Sequence, residues 1–460
     1  MEVRPRPGKA APGLPAVRQI LKGGALVLAG MLFGGGTSYL SKIVIARALG
    51  PGEFGLFSLS YSMVFLGASC ALLGLPRALA RFIPYFGGRG DYGGVKEITV
   101  FSFWATIAAG IVLGFLLYFG SGVIAVKFFH TIELARFLRL FAWIVPIAAL
   151  IQMNSGALRG FKATRYKVLT EDILKGALLM VFLFPSFLIF GRNPEAVIIS
   201  CFAAFGASAA AGLYCVGKCL CERVGRRRTD GMSGAAGADR AAAMKTVLVF
   251  AAPLAISALV NNLVAQTDTL MLGHFAGAPV VGLYGAAALV SQTMGLGLAA
   301  VNFLFMPVAS EFYAAGKVKE SGDLYLALCR RLFYAVLPVF LTLLLFPGPV
   351  LVFLFGRAYA GAAGALRLLS LGSFFNVSAG MAGPMTLVMG KSRAYLLFDI
   401  IGLAVNIFLC FALIPRLGMA GAAISNAAGI VIWNISALGF VYRRLRLHPF
   451  MRKWEARLSS

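Results

Sequence analysis

The chain has 460 residues, of which 60% are hydrophobic and only 13% are charged, and its formal net charge is +25. Soluble domains average about 45–50% apolar and about 25% charged residues, so this composition excludes an ordinary soluble protein. The basic residues flank apolar segments instead of forming one continuous stripe, so we exclude nucleic acid as a partner. The sequence therefore predicts a multi-pass membrane protein.

Twelve apolar segments follow one another along the chain. Each is about as long as a membrane-spanning helix, which needs roughly 20 mostly apolar residues. The predicted spans are 24–48, 55–75, 98–119, 138–158, 168–190, 196–217, 246–272, 278–307, 332–355, 362–389, 395–415 and 418–442. We therefore expect an all-α fold of about twelve transmembrane helices.

Basic residues are concentrated in alternate gaps between these spans. The two ends of the chain and every second gap together hold 32 of the 42 Lys and Arg residues. Short cytoplasmic loops carry an excess of Lys and Arg, so this pattern sets the orientation. It predicts a multi-pass protein of the plasma or inner membrane with both termini in the cytoplasm.

The gap 222–245 is rich in Gly, Ala and basic residues and divides the spans into six and six. This composition is typical of a flexible linker. We expect a basic tail at 1–23, an N-lobe at 24–221, this linker, a C-lobe at 246–442 and a second basic tail at 443–460. Because six spans return the chain to its starting side, any repeat between the lobes is parallel.

Two short sequence echoes support such a repeat. Gly50-x4-Gly55-Leu-Phe returns 227 residues later as Gly277-x4-Gly282-Leu-Tyr. A second echo lies after the fourth and tenth spans and includes Asp172 and Asp399. Their matching order favours a duplicated six-helix unit.

Three segments resemble a known family. They are SKIVIARALGPGEFGLFSLSYSM (41–63), QTDTLMLGHFAGAPVVGLYGAA (266–287) and LVMGKSRAYLLFDIIGLAVNIFLCFALIPRLGMAGAAISNAAG (387–429). The chain resembles Wzx-type polysaccharide flippases of the multidrug/oligosaccharidyl-lipid/polysaccharide exporter superfamily. The resemblance implies two six-helix lobes around a central cavity that opens alternately to each side. It also implies passage of a polyprenyl-pyrophosphate-linked oligosaccharide to the outer leaflet.

Ionisable residues inside spans are costly and are functional candidates by default. Lys42 and Asp268 occupy nearly equivalent repeat positions in the first and seventh spans. One interpretation is a Lys42–Asp268 pair that closes an outer gate. Asp268 is alternatively a proton or cation site, or each residue snorkels or pairs with a neighbour in its own lobe. Lys175, in the fifth span, either faces the cavity as a cation or pairs with Asp172 one turn away.

Three arginines complete the predicted substrate-binding set. Arg77 and Arg81 lie one turn apart at the inner end of the second span, where they either collect a pyrophosphate or only signal topology. Arg47 lies near the outer end of the first span. Polar side chains within spans, including Asn262 and Gln266, contact sugar hydroxyls or form hydrogen bonds between helices.

Two other functions compete with a flippase. A multidrug/cation antiporter of the same superfamily would favour acidic residues in its cavity, whereas Lys42 and Lys175 outnumber Asp268 at membrane depth. A membrane enzyme acting on lipid-linked sugars would commonly need carboxylates to hold Mg²⁺, and no Asp-x-Asp occurs.

We expect no catalytic residue, cofactor or metal. The expected partners are the lipid-linked oligosaccharide and membrane lipids; glycosyltransferases or a polysaccharide polymerase are further candidates.

Overall fold

A computed structural model describes the backbone of residues 14–225 and 237–445, and the side chains of 29–222 and 246–445. Within these ranges every regular element is a helix and no strand occurs. The predicted linker at 222–245 and the tails at 1–23 and 443–460 lie wholly or largely outside the described side chains. Their boundaries, and those of the two lobes, stay predictions.

Eight α-helices form the first half of the chain. They are α1 (Leu14–Ala71), α2 (Leu75–Gly88), α3 (Tyr92–Val123), α4 (Glu133–Ala142), α5 (Ile144–Gly160), α6 (Thr164–Lys167), α7 (Lys175–Phe190) and α8 (Pro194–Gly225). Two π turns interrupt this series, Ile124–Phe128 after α3 and Val168–Leu174 between α6 and α7.

Eight further α-helices form the second half. They are α9 (Gly237–Ala276), α10 (Ala278–Ala314), α11 (Val318–Leu345), α12 (Pro347–Phe355), α13 (Ala363–Ala379), α14 (Ala382–Val388), α15 (Ser392–Leu417) and α16 (Met419–Leu445). A 3₁₀ turn, Arg357–Ala362, joins α12 to α13.

Glycines with positive φ break the chain at both copies of the predicted repeat turn. Gly50 has φ 74° and splits α1 into two helical stretches, and Gly277 has φ 83° between α9 and α10. Only glycine adopts such a conformation at little cost. Pro51 then starts the second stretch of α1, because a missing N–H and a fixed φ suit the first helical position.

The described helices include many that could cross a membrane. Nine helical stretches among the described residues are long and apolar enough to cross a membrane, and the bent pair α4–α5 makes ten. One stretch, Ala29–Gly88, has 60 residues and contains the break at Gly50, so it is long enough for two crossings. The predicted span 362–389 corresponds to two shorter helices, α13 and α14, which are separated by a break at Gly380, where φ is 70°. The all-α polytopic fold is confirmed.

The described helices group into two compact units. Among the described residues, one unit lies within Phe33–Gly285, and the other contains those after Gly285 together with those before Phe33. The first unit therefore includes α9 and the start of α10, which the predicted boundary at 222–245 assigns to the second lobe. This grouping follows from direct contact between α1 and α9. Ser62 of α1 donates a hydrogen bond to Gln266, and Ser69 of α1 accepts one from Asn262.

Candidate functional site

Close packing of α1 on α7 positions two lysines in the first unit. A Cβ atom on Gly34 would overlap the carbonyl of Asp172, and one on Gly176 would lie 2.6 Å from Thr37 Oγ1. Missing side chains at both glycines let the helix backbones approach. Ser41 Oγ then reaches the Gly176 carbonyl oxygen at 3.4 Å.

The contact between Ser41 and Gly176 brings Lys42 and Lys175 together, because each lysine is the chain neighbour of one of these two residues. Lys42 follows Ser41, Lys175 precedes Gly176, and the two ammonium groups are close enough to repel each other. Both side chains are half-buried, and neither forms a salt bridge to a described residue. The result is two cations inside a helical bundle with no carboxylate in salt-bridge contact among the described residues. The Glu171 carboxylate lies near enough to attract Lys175, but it is already paired with Lys167.

An aromatic ladder on α1 holds the ammonium group of Lys42. Its Nζ lies 5.3 Å from the ring centroid of Tyr61. The Tyr61 ring packs between Phe57, at 5.8 Å, and Phe65, at 4.4 Å between centroids. A cation over an aromatic face gains about 0.5–2 kcal/mol, which offsets part of the cost of burying the lysine.

Asp172 pairs with Lys167, so the alternative Asp172–Lys175 pair is not formed. Lys167 Nζ lies 2.7 Å from Asp172 Oδ2 and 3.3 Å from Glu171 Oε2. The π turn Val168–Leu174 explains this choice, because its i to i+5 hydrogen bonding brings residues five apart onto one face. Lys175 is thereby left without this acidic neighbour.

Two predicted arginines form contacts between helices of the first unit. Arg77 donates a hydrogen bond to Ser257 Oγ at 3.3 Å, and the Arg81 guanidinium lies 4.3 Å from the ring centroid of Phe250. Both arginines are exposed on α2, and their partners belong to α9. Arg47 is exposed three residues before the break at Gly50. The structure therefore does not bring these arginines into the cluster of Lys42 and Lys175.

Asp268 is buried, with 5% of its surface exposed. Tyr284 of α10 donates a hydrogen bond to its Oδ2 at 3.0 Å. Lys42 and Asp268, both among the described side chains, do not form a salt bridge with each other. In this conformation Asp268 links the end of α9 to the start of α10.

Sequence reasoning found the repeat turn but not the contact it makes. A Cβ atom on Gly55 would overlap the Ala278 carbonyl oxygen, and one on Gly282 would overlap the Pro51 carbonyl oxygen. The contact is reciprocal, since both pairs of partners are related by the 227-residue offset. We call these two glycines and the two carbonyls the glycine latch. The 227-residue offset between the two turns is the sequence signal from which this contact could have been predicted.

Polar residues along α1 and α9 extend this contact. Ser62 donates to Gln266 Oε1 at 2.7 Å, and Asn262 Nδ2 donates to Ser69 Oγ at 2.9 Å. Of the two roles considered for Asn262 and Gln266, hydrogen bonding between helices is the one observed here.

Comparison with known proteins agrees with this architecture. A multidrug resistance MATE family transporter of the MOP superfamily, solved inward-facing, has TM-score 0.68 at 17% identity over 92% of this chain and 98% of its own. The lipid II flippase MurJ, in an inward closed conformation, has TM-score 0.69 at 12% identity over 91% of this chain and 87% of its own. The chain is thus a multi-pass membrane protein with the fold of these transporters.

Sequence comparison adds the family. The profile of the family described as "Polysaccharide biosynthesis protein" matches residues 20–312, and the chain belongs to this family. A putative O-antigen transporter of Shigella flexneri is 26% identical over 202 residues, 44% of this chain and 47% of that protein. The capsular polysaccharide biosynthesis protein CapF of Staphylococcus aureus is 26% identical over 205 residues, 44% of this chain and 51% of CapF. The alignments thus span about half the length of these relatives.

Proposed function

We propose that the protein is a transporter that moves a polyprenyl-pyrophosphate-linked oligosaccharide from the inner to the outer leaflet, by alternating access, for polysaccharide export. The family description supports export of a polysaccharide precursor. A relative named as an O-antigen transporter and a structural neighbour named as a lipid II flippase support a lipid-linked sugar as the cargo.

The pair Lys42 and Lys175 is the observation that carries this proposal. Two half-buried cations, neither in a salt bridge with a described carboxylate, form a region that attracts an anion. Glu171, the acidic group that acts on Lys175, already has Lys167 as its salt-bridge partner. Charges interact much more strongly in such a low-dielectric place than in water. A pyrophosphate, with several negative charges, suits two ammonium groups that repel each other when the site is empty.

Tyr61 and Phe65 give this region a second property. The Tyr61 ring lies beside Lys42, the Phe65 ring packs on Tyr61 with 4.4 Å between centroids, and both side chains are half-buried. Aromatic rings present apolar faces beside a polar group. The sugar next to the pyrophosphate would pack on these faces while Lys42 and Lys175 hold the phosphates.

A multidrug/cation antiporter is the second candidate, and MATE transporters among the structural neighbours favour it. A cationic drug needs acidic residues that are available to it. In the first unit Asp172 is engaged by Lys167, and Asp268 accepts a hydrogen bond from Tyr284. Two neighbouring lysines without a salt bridge to a described carboxylate would repel such a drug, so we favour the anionic cargo.

One experiment separates the two transport functions. The purified protein is reconstituted into vesicles that contain either a fluorescent polyprenyl-pyrophosphate-linked sugar or a cationic dye. We expect movement of the lipid-linked sugar between leaflets, competition by inorganic pyrophosphate, and no dye transport. Lys317→Ala, which removes an exposed charge in the turn before α11, is the control for net charge. Dye transport without sugar movement would instead establish the antiporter.

A further inference from the structure

The second unit buries a carboxyl group that the proposed function does not use. Asp399 lies two turns into α15 and has 7% of its surface exposed. The indole N–H of Trp433, on α16, donates a hydrogen bond to its Oδ1 at 2.7 Å. Its other oxygen, Oδ2, is buried and has no hydrogen-bond partner.

Tight packing fixes the indole that serves this carboxyl. A Cβ atom on Gly383 would lie 2.5 Å from the six-membered ring of Trp433, and one on Gly402 would lie 3.3 Å from the Trp433 Cβ. The ring of Tyr395 packs edge-on against Trp433 with 5.7 Å between centroids. The donor to Oδ1 is therefore held in place, and it cannot turn to serve Oδ2 as well.

Charged side chains on the packed helices do not neutralise Asp399. The helix α14 carries no titratable residue, and α16 carries them only in its last turn, at Tyr442, Arg443 and Arg444. Those on α15 itself are Arg393, Tyr395, Cys410 and Arg416. None of these basic residues forms a salt bridge with Asp399 in the described structure.

The repeat-related residue has the opposite environment. Asp172 is 227 positions earlier, and Lys167 lies 2.7 Å from its Oδ2. The position equivalent to Lys167 in the second half is Ala394. One aspartate is therefore neutralised by a lysine, whereas its counterpart has only an indole N–H.

We propose that Asp399 is a proton-binding site and that its Oδ2 carries the proton in this conformation. A buried carboxylate without a cation is among the most costly groups a protein can contain. Taking one proton from water removes that charge and breaks no bond of the protein. The remaining hydroxyl lacks an acceptor, but a neutral unsatisfied group costs only about 1–3 kcal/mol. Ionisable residues inside membranes commonly belong to proton relays.

Trp433 provides an optical probe for this proton. Trp104, Trp143 and Trp454 are replaced by Phe, which leaves Trp433 as the only tryptophan of the four in the chain. Trp104 and Trp143 are exposed, so these changes do not alter the core. We expect the Trp433 emission of the detergent-purified protein to change in a single sigmoidal step as pH rises. Asp399→Asn removes the step, and the matched variant Asp172→Asn retains it.

Infrared spectroscopy of the same samples detects the proton directly. A protonated carboxyl gives a C=O stretching band that carboxylates lack, and we expect Asp399→Asn to lose it while Asp172→Asn keeps it. If Asp399→Asn does not fold, Trp433→Phe decides the matter, because removing the donor to Oδ1 moves this band to higher frequency. A band that survives in folded Asp399→Asn, or that is unmoved in Trp433→Phe, overturns the proposal.

Sodium is the alternative ligand for the unpartnered oxygen. Replacing choline chloride with sodium chloride at constant pH leaves the Trp433 emission unchanged if Asp399 binds a proton. A sodium-dependent change that Asp399→Asn abolishes would assign a metal cation instead and overturn the proton. These measurements use protein without substrate, so their outcome does not depend on the proposed transport function.

Discussion

Gly55 and Gly282 pack against each other's helices in a reciprocal contact. Each glycine lies where a Cβ atom would overlap a backbone carbonyl of the opposite turn, at Ala278 and at Pro51. A contact of two backbones without side chains is short and has little tolerance for extra volume. It closes one end of the interface between α1 and the helices α9 and α10, at the predicted outer side.

The glycine latch predicts that one methyl group will open this end. In Gly55→Ala or Gly282→Ala, the added methyl overlaps a carbonyl, at a cost of about 1–3 kcal/mol. Spin labels at the repeat-related positions Ala48 and Phe275 should then show a longer distance in at least half of the molecules. Gly52→Ala is the matched control, because a Cβ atom there has no neighbour within 4 Å. An unchanged distance in both latch variants would mean that these glycines do not hold the turns together.

The lysine pair predicts a loss of transport with retained folding. Lys42→Ala and Lys175→Ala should each reduce leaflet transfer of the lipid-linked sugar about tenfold, since a charged hydrogen bond contributes about 1.5–3 kcal/mol. Arginine at either position should restore part of the rate, because the charge is retained. Transfer is followed in reconstituted vesicles, with protein amount checked in each preparation. A double alanine variant with full activity would exclude these cations from substrate binding.

The Asp268–Tyr284 contact predicts a loss of stability. Tyr284→Phe removes the hydroxyl that donates to Asp268 Oδ2, and leaving a buried partner without this donor costs about 1–3 kcal/mol. Tyr313→Phe removes a less buried hydroxyl from the same helix and serves as the control. Thermal unfolding of the purified proteins measures both. Equal midpoints for Tyr284→Phe and the unmodified protein would show that this hydrogen bond does not hold α9 to α10.

The predicted orientation is tested by cysteine labelling from outside intact cells. All seven native cysteines are first replaced by Ala, and single cysteines are introduced at Gly52, Pro194, Ala276 and Ser392. The first three should react with a membrane-impermeant maleimide, and Ser392→Cys should react only after the cells are opened. Reaction at 392 in intact cells would reverse the assignment derived from the basic residues.

The sequence predicted the helices well because spans and turns depend on local composition. Long apolar runs located the crossings, and Gly50 and Gly277 marked the breaks. The Lys167–Asp172 pair was not predicted, because nothing in the residues 168–174 distinguishes a π turn from a regular helix. The Lys42–Tyr61 contact joins the two stretches of α1 across the break at Gly50, and the glycine latch joins α1 to α10. Such contacts depend on how helices pack, which the pattern of single helices does not contain.

The π turn has a consequence for how the two halves diverged. A π turn accommodates one residue more than the regular helical turn it replaces, and α15 runs from Ser392 to Leu417 without one. Deleting Ile173 would restore a regular helix and rotate everything before it by about 100° relative to Lys175. Lys167 would then leave the face of Asp172, because residues five apart in a regular helix point about 140° away from each other. The Lys167–Asp172 pair therefore needs both the π turn and the lysine, and α15 offers Asp399 neither, since it is a regular helix with Ala394 five residues before the aspartate.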